Sequence, residues 1–314
     1  MAVPSNTQDS FDTIGNREDL EDRIFMITPT DTPFIASIDA VDAKQSLHEW
    51  QIDALAAADG GNAVLEGDDA TTDAFTATTR LSNTCQISDK VVRVSGTQQA
   101  TLAAGRSNEL DYQTVKRSLE LRRDMETILM SNQAEVTGNS TTARKLGGLE
   151  SWYTTNDSRG SGGSEGGLGN TAATDSETPR AITETLLRNV VKLAFDAGGD
   201  PDTIMLGSFN KQKFSEFTGN ATKFKDVIDR RLVTEVAIYE SDFGQMRVLP
   251  NRFQRSRTGH VLEMDMWAVA YLRRPRQSPL AKTGDSERRQ LLAEYTLVSR
   301  NEAASGVIAD LTTS

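Results

Sequence analysis

Three features of this 314-residue chain carry residue types whose spacing suggests chemistry. Asp242-Phe243-Gly244 has the form of a kinase magnesium-binding turn. Gly160-Ser161-Gly162-Gly163-Ser164-Glu165-Gly166-Gly167 has the glycine density of a phosphate cradle, and His48, His260 and Cys85 are the side chains suited to zinc or iron. Each fails on its surroundings. A kinase needs a His-Arg-Asp catalytic loop, a nucleotide-binding Gly-rich strand and a paired Lys and Glu upstream, and none is present. A phosphate loop needs Gly-Lys-Ser/Thr leading straight into a helix, which the glycine run lacks. Two histidines and one thiol leave little for a metal, a lone cysteine excludes an internal disulfide, and neither histidine neighbours a nucleophile elbow. Carboxylates are plentiful, but three tryptophans and five tyrosines are scattered, so no aromatic-lined sugar cleft accompanies them. The expectation is a chain that is not an enzyme and has no cofactor, with both histidines as ordinary polar strand residues and the Asp-Phe-Gly triplet as a tight turn.

With chemistry set aside, the composition describes a scaffold. Hydrophobic residues make up 37%, aromatics 6% and charged residues 25%, which predicts a folded chain with a thin core, either one elongated domain or two to three subdomains. No apolar run approaches the ~18–20 residues of a membrane helix, and the first residues lack a charged region followed by an apolar one. A soluble, unexported protein is expected. Net charge is -11, which argues against unassisted nucleic-acid binding. The charge is uneven: residues 1–75 hold sixteen acids and three bases, and the remainder is nearly neutral. Bases cluster in that remainder at Lys116, Arg117, Arg122 and Arg123, at Arg230 and Arg231, at Arg273, Arg274 and Arg276, and at Arg288 and Arg289. An acidic front and basic patches behind it suit electrostatic docking between copies, and the bland alternative is that the acids merely solvate a mobile leading segment.

Residues 1–46, with Pro4, Pro29 and Pro33, read as an extended arm carrying one short helix from Glu18 to Ile27, where Leu20, Ile24 and Ile27 share a face. Leu47–Ile52 alternates, and Phe75–Ser95 is dense in Thr, Val and Ile, which predicts two long strands. Between them Ala54–Asp73 is rich in Ala, Gly and Asp and cannot make a core, so the pair is a projecting hairpin that something else must cover. Ser107 as N-cap and the stripe of Leu110, Leu121, Met125, Ile128 and Leu129 predict a helix from Asn108 to Gln133 with one packing face and a wet basic face. Gly138–Ser176 reads as a loop or insertion rather than core. Further helices are expected at 183–194 and 209–217. Strands are expected at 203–206, 233–239, 245–249, 261–264, 266–272 and 289–299. Strands outnumber helices without a repeating βα unit, so the class is α+β.

This order of elements resembles the major capsid proteins of tailed bacteriophages, the Hong Kong 97-like fold. The resemblance covers nearly the whole chain. Its most specific words are Arg17-Glu18-Asp19-Leu20, Thr28-Pro29-Thr30-Asp31-Thr32-Pro33-Phe34, Leu47-His48-Glu49-Trp50-Gln51 and Glu66-Gly67-Asp68-Asp69-Ala70. Later come Val94-Ser95-Gly96-Thr97-Gln98, Arg123-Asp124-Met125-Glu126, Ser241-Asp242-Phe243-Gly244, Pro250-Asn251-Arg252-Phe253 and Ala281-Lys282-Thr283-Gly284-Asp285-Ser286. Together they look like one phage coat-protein subfamily otherwise described as a domain of unknown function.

The resemblance implies an N-arm (1–46), an extended E-loop hairpin (47–96), a P-domain spine helix with a Gly-rich insertion (97–178), an A-domain (179–287) and a returning P-domain strand with the C-terminus (288–314). It implies hexamers and pentamers assembling into an icosahedral virion shell around double-stranded DNA that is enclosed without sequence-specific binding, built in the host cytoplasm away from any membrane. Expected partners are the chain itself, a separate scaffold, a portal and decoration proteins. Candidate inter-subunit contacts are Leu20, Phe34, Trp50, Arg117, Arg122 and Arg123. A decoration or tail-tube protein is the alternative, although tube proteins generally carry more sheet and no long spine helix. Some relatives weld subunits by an isopeptide bond between an E-loop lysine and an asparagine. No lysine lies between Lys44 and Lys90 here, so boiling particles in SDS should release monomer of 34.3 kDa, and a ladder would contradict this. Met1 stands only about twenty residues before the arm motifs, too few for a fused helical scaffold, so a separate scaffold or none is expected.

Overall fold

The computed structural model describes residues 26–67, 69, 72, 75–217 and 238–314. In chain order the elements are α1 (Pro33–Ser37), β1 (Asp39–Asp42), β2 (Leu47–Ile52), β3 (Thr79–Thr84), β4 (Gln86–Ser95), α2 (Gly96–Ala100) and α3 (Glu109–Leu129). There follow β5 (Asp157–Ser158), α4 (Glu184–Asp196), β6 (Thr203–Leu206), α5 (Ser208–Ser215), β7 (Ile238–Ser241), β8 (Gly244–Pro250), β9 (Gly259–Leu262), β10 (Trp267–Pro279), β11 (Ser286–Ser299) and β12 (Gly306–Ile308). Among the described residues the strands form a four-stranded sheet β1-β10-β11-β4, a six-stranded sheet β5-β12-β9-β6-β8-β7 and the ribbon β2-β3. Residues 18–25 of the predicted helix at Glu18–Ile27 and most of the strand at 233–239 fall outside the described residues, and Met26 and Ile27 at the helix's predicted end are irregular and exposed.

The long helix packs on the four-stranded sheet because its apolar stripe matches one face of that sheet. Leu121, Met125 and Leu129 are buried with Leu291, Ala293, Tyr295 and Leu297 of β11 in one core. Two ion pairs flank this contact, Lys90 to Asp124 at 2.6 Å and Arg289 to Asp111 at 2.6 Å. The N-cap is Asn108, not Ser107, with its Oδ1 accepting from Asp111 N at 3.1 Å. The helix stops at Leu129, four residues before the predicted end, because tertiary partners capture the next side chains. Asn132 exchanges bonds with Ala173 N and O, and the Gln133 amide donates to Leu146 O at 2.7 Å.

Two expectations are corrected. The predicted strand 75–95 is two strands in two sheets. β3 runs antiparallel to β2, and at Cys85, whose N donates to Ser46 O at 2.7 Å, the chain crosses so that β4 pairs with β11. The insertion is not outside the core either. Its backbone is irregular, but Leu146, Leu149, Trp152 and Tyr153 are fully buried and occupy the centre of the largest apolar cluster. The glycines make this wrapping possible. Gly169 has φ +87° and lies so close to Trp152 that a Cβ there would approach the indole Cζ2 to 2.8 Å. The insertion predicted as a loop is therefore held tight against Trp152 at Gly169.

Candidate inter-subunit surfaces

The ribbon has a fixed root and an uncovered tip. At the root, the Trp50 indole N–H donates to Ser299 O at 2.7 Å and its ring lies 5.5 Å from that of Trp152. The Asn83 amide donates to Leu297 O at 2.8 Å and its oxygen accepts from Gly147 N at 2.8 Å. Pairing ends at Ile52 opposite Thr79. Every described residue between 53 and 78 is exposed, including the apolar Leu55 (99%) and Phe75 (92%), with Val64 and Leu65 also open to solvent. Apolar side chains this exposed contribute little to the isolated fold and form a candidate contact surface.

A groove of about 630 Å³ opens between α3 and β10. Ile35, Leu119, Leu121, Met125, Tyr271 and Leu291 give it an apolar lining, to which Arg122 and Arg276 add cationic groups. The predicted contact residues distribute around it unevenly. Leu20 lies outside the described residues. Phe34 is fully buried in the main core, so it anchors the arm and has no surface to offer a neighbour. Trp50 is half-buried and is spent on the ribbon root. Arg117 pairs with Glu120 on its own helix. Arg123 lies over the Phe253 ring at 5.3 Å, and Arg122 donates from Nε to Thr32 Oγ1 at 2.7 Å while lining the groove.

The helix's basic face is therefore not simply wet, and the other basic clusters are also largely neutralised within the chain. Arg273 pairs with Glu294 at 2.6 Å, Arg274 with Asp42 at 2.8 Å and Arg289 with Asp111, and Arg288 donates to Ala281 O at 2.8 Å. Arg230 and Arg231 are outside the described residues. Among the described residues Arg276 has no such partner.

Sequence reasoning missed the buried polar groups, because their partners lie about a hundred residues away. Glu150 is 1% exposed. It accepts from Arg255 and from Thr258 Oγ1 at 2.7 Å, and Arg255 also bonds Asp175. His260, expected as an ordinary strand residue, is fully buried in β9, stacked on Tyr153 at 5.9 Å, with Nε2 3.9 Å from Glu150. Burial first, then Arg255 and Arg159, push its imidazole down to about 3. Burial raises the Glu150 carboxyl against the pull of Arg255. Both groups are sealed from solvent, so the cluster welds insertion, loop and sheet together instead of serving a substrate. Cys85 is likewise buried, its thiol raised to about 11 by burial, and stays protonated.

The His260 imidazole gives a pH signature. Between its ordinary 6.5 and about 3, the unfolded chain holds a proton that the native chain refuses. Stability therefore falls as pH drops through that window, by up to about 1.4 kcal/mol per unit for this group. Glu150 works in the opposite sense, since a raised carboxyl favours the native state as pH falls. Urea midpoints at pH 6.5 and 4.5 should fall in the wild type and fall less in His260→Gln. Equal falls would remove His260 from the acid response.

An α+β body with an exposed ribbon tip, a long helix beside an open groove and polar groups committed to internal welding has the character of a shell subunit. The model of the SU10 major capsid protein matches residues 4–312, and the chain belongs to that family. It is 29% identical, over 95% of each chain, to the major capsid protein of Escherichia phage Phieco32. In fold it is similar to the cyanophage A-1(L) capsid subunit (TM-score 0.65, 12% identity, 98% of this chain and 99% of that one). It is also similar to a chain in a structure of phage G major capsid proteins with decoration proteins (TM-score 0.51, 12% identity, 99% and 100% covered). The chain is thus a structural component of an icosahedral phage capsid, with the Hong Kong 97-like fold and no enzymatic role.

Proposed function

We propose that the chain tiles its shell as hexamers and pentamers, each hairpin reaching across to cover the α3–β10 groove of an adjoining copy. The observation that carries this is that every described residue of the 53–78 tip is exposed, the apolar Leu55, Val64, Leu65 and Phe75 included. Charge supports the pairing. The tip contains Asp53, Asp59, Glu66 and Asp69, and the groove holds Arg122 and Arg276. Many modest contacts of this kind, repeated around closed symmetry, stabilise a shell through multiplicity.

In family terms, 1–46 is the N-arm, 47–96 the E-loop, 97–178 and 288–314 the P-domain, and 179–287 the A-domain. The sheet pairings favour shifting two boundaries. β4 and β10 both flank β11, which supports assigning 86–95 and 267–279 to the P-domain and keeping 47–84 as the hairpin proper. The enclosed double-stranded DNA meets a surface whose described arginines are mostly paired, in keeping with packaging without sequence reading. The phage G structure contains decoration proteins, and a decoration partner is proposed here too, together with a portal and a separate scaffold.

Negative-stain microscopy of the purified full chain tests the shell itself. For the docking, Arg276→Glu should slow assembly, and Glu66→Lys in the same chain should restore it. Wild-type assembly should slow as salt rises, because exposed pairs are screened beyond about 10 Å at 0.1 M. Assembly at an unchanged rate in Arg276→Glu and at all salt concentrations would remove the groove from the mechanism.

A further inference from the structure

Glu126 is fully buried on the turn of α3 that meets both the arm and the loop following β8. Its Oε1 accepts from Phe34 N at 2.8 Å and from Asn251 Nδ2 at 2.8 Å, and its Oε2 accepts from Ile35 N at 2.9 Å. One turn earlier, Arg122 holds Thr32 in the arm, and the neighbouring Arg123 lies over Phe253 in the loop. The loop is closed on itself by Phe253 N donating to Asn251 Oδ1 at 2.8 Å. Among the described residues no hydrogen bond joins residues 26–38 directly to residues 250–254. What the arm and the loop share is this carboxylate.

A shared buried carboxylate couples its donors. Burial opposes the charge on Glu126, and the two arm amides, Asn251 and the nearby Arg122 sustain it. Removing any one donor makes the ionised form costlier and favours the neutral carboxyl, which is the weaker acceptor for the donors that remain. The loop continues from β8, which lies between β6 and β7 in the six-stranded sheet, while α3 lies on the other sheet.

We infer that Glu126 is a coupling joint, through which displacement of the arm by an adjoining copy loosens the 251–253 loop at the end of β8, and movement of that loop in turn frees the arm. The inference rests on the shell reading only for what pulls the arm. The coupling itself belongs to the single chain.

Hydrogen–deuterium exchange on the full unassembled chain tests it. Asn251→Ala should speed exchange of the Phe34 and Ile35 amides by about tenfold, the scale of one hydrogen bond to a charged group. Asn210→Ala removes a different bond to the same loop, from Asn210 Nδ2 to Ser256 O at 2.9 Å, and should leave those amides at the wild-type rate. Thr32→Ala should speed exchange at Phe253, because coupling is reciprocal. The amides of α4 report global opening and should stay constant in all three. Arm exchange unchanged in Asn251→Ala, or equally accelerated in Asn210→Ala, would overturn the joint. If Asn251→Ala does not fold, Glu126→Gln takes its place and must loosen arm and loop together; loosening only one overturns the proposal. A wild-type chain that never forms shells would remove the shell reading and leave this exchange result standing.

Discussion

Replacing residues 54–77 by an Asn-Gly turn abolishes shell assembly while the shortened chain still folds. The reasoning is asymmetric burial. Every described residue of that segment is exposed, so its removal changes native stability by no more than about 1 kcal/mol, within the range of surface changes. The ladder from Leu47–Ile52 to Thr79–Thr84, with Trp50 and Asn83 anchored on β11, remains to close the new turn. Everything Leu55, Val64, Leu65 and Phe75 can contribute is therefore contributed between copies. Sedimentation velocity should show a folded, unassembled species with a melting point close to that of the wild type. Shells at wild-type yield would show that the ribbon is dispensable. A melting point lower by tens of degrees would show that the tip belongs to its own core after all.

Trp152→Ala has the largest expected effect on folding. Trp152 is fully buried, touches the Trp50 ring, donates from Nε1 to Gly147 O at 3.2 Å and is pressed from the other side by Gly169. Truncating such a side chain costs about 3–5 kcal/mol, against a total of ~5–15 kcal/mol for an ordinary native protein. The variant should unfold at a much lower denaturant midpoint and melting temperature than the wild type. Trp152→Phe should lose markedly less, and in it the ribbon root should exchange faster than in the wild type, because Trp50 loses part of its wall. A denaturant midpoint for Trp152→Ala equal to that of the wild type would contradict the central place given to the insertion.

Local signals were legible in the sequence, and contacts set by distant partners were not. Helix α4 was legible because its signals are local. Thr183 accepts from Leu186 N at 3.3 Å, the stripe of Leu187, Val190, Val191 and Ala194 is buried, and Gly198 follows with φ +93°. β6 was legible with its bounds, as was the turn at Asp242-Phe243 between β7 and β8. The insertion was not, because its glycine content describes the backbone path and says nothing of what the path encloses. Trp152 is set by Trp50, about a hundred residues before it, and by the tight approach of Gly169. β1 and β12 were missed for a related reason: four and three residues have no period to read, and they become strands only by lying beside β10 and beside β5 and β9. Among the candidate contacts, Arg122 lines the groove, a position that residue type alone does not give. Nor could residue type distinguish a buried anchor such as Phe34 from an exposed contact, since both are large and apolar.

The groove between α3 and β10 is assembled from Ile35, from the middle of α3 and from strands beyond Tyr271, stretches that meet only when most of the chain has been synthesised and folded. A half-made or wrongly folded copy has no such groove. On the proposed docking, growing lattices would sort sound tiles from defective ones by geometry, because acceptance at the edge would require that the newcomer's own folding be finished.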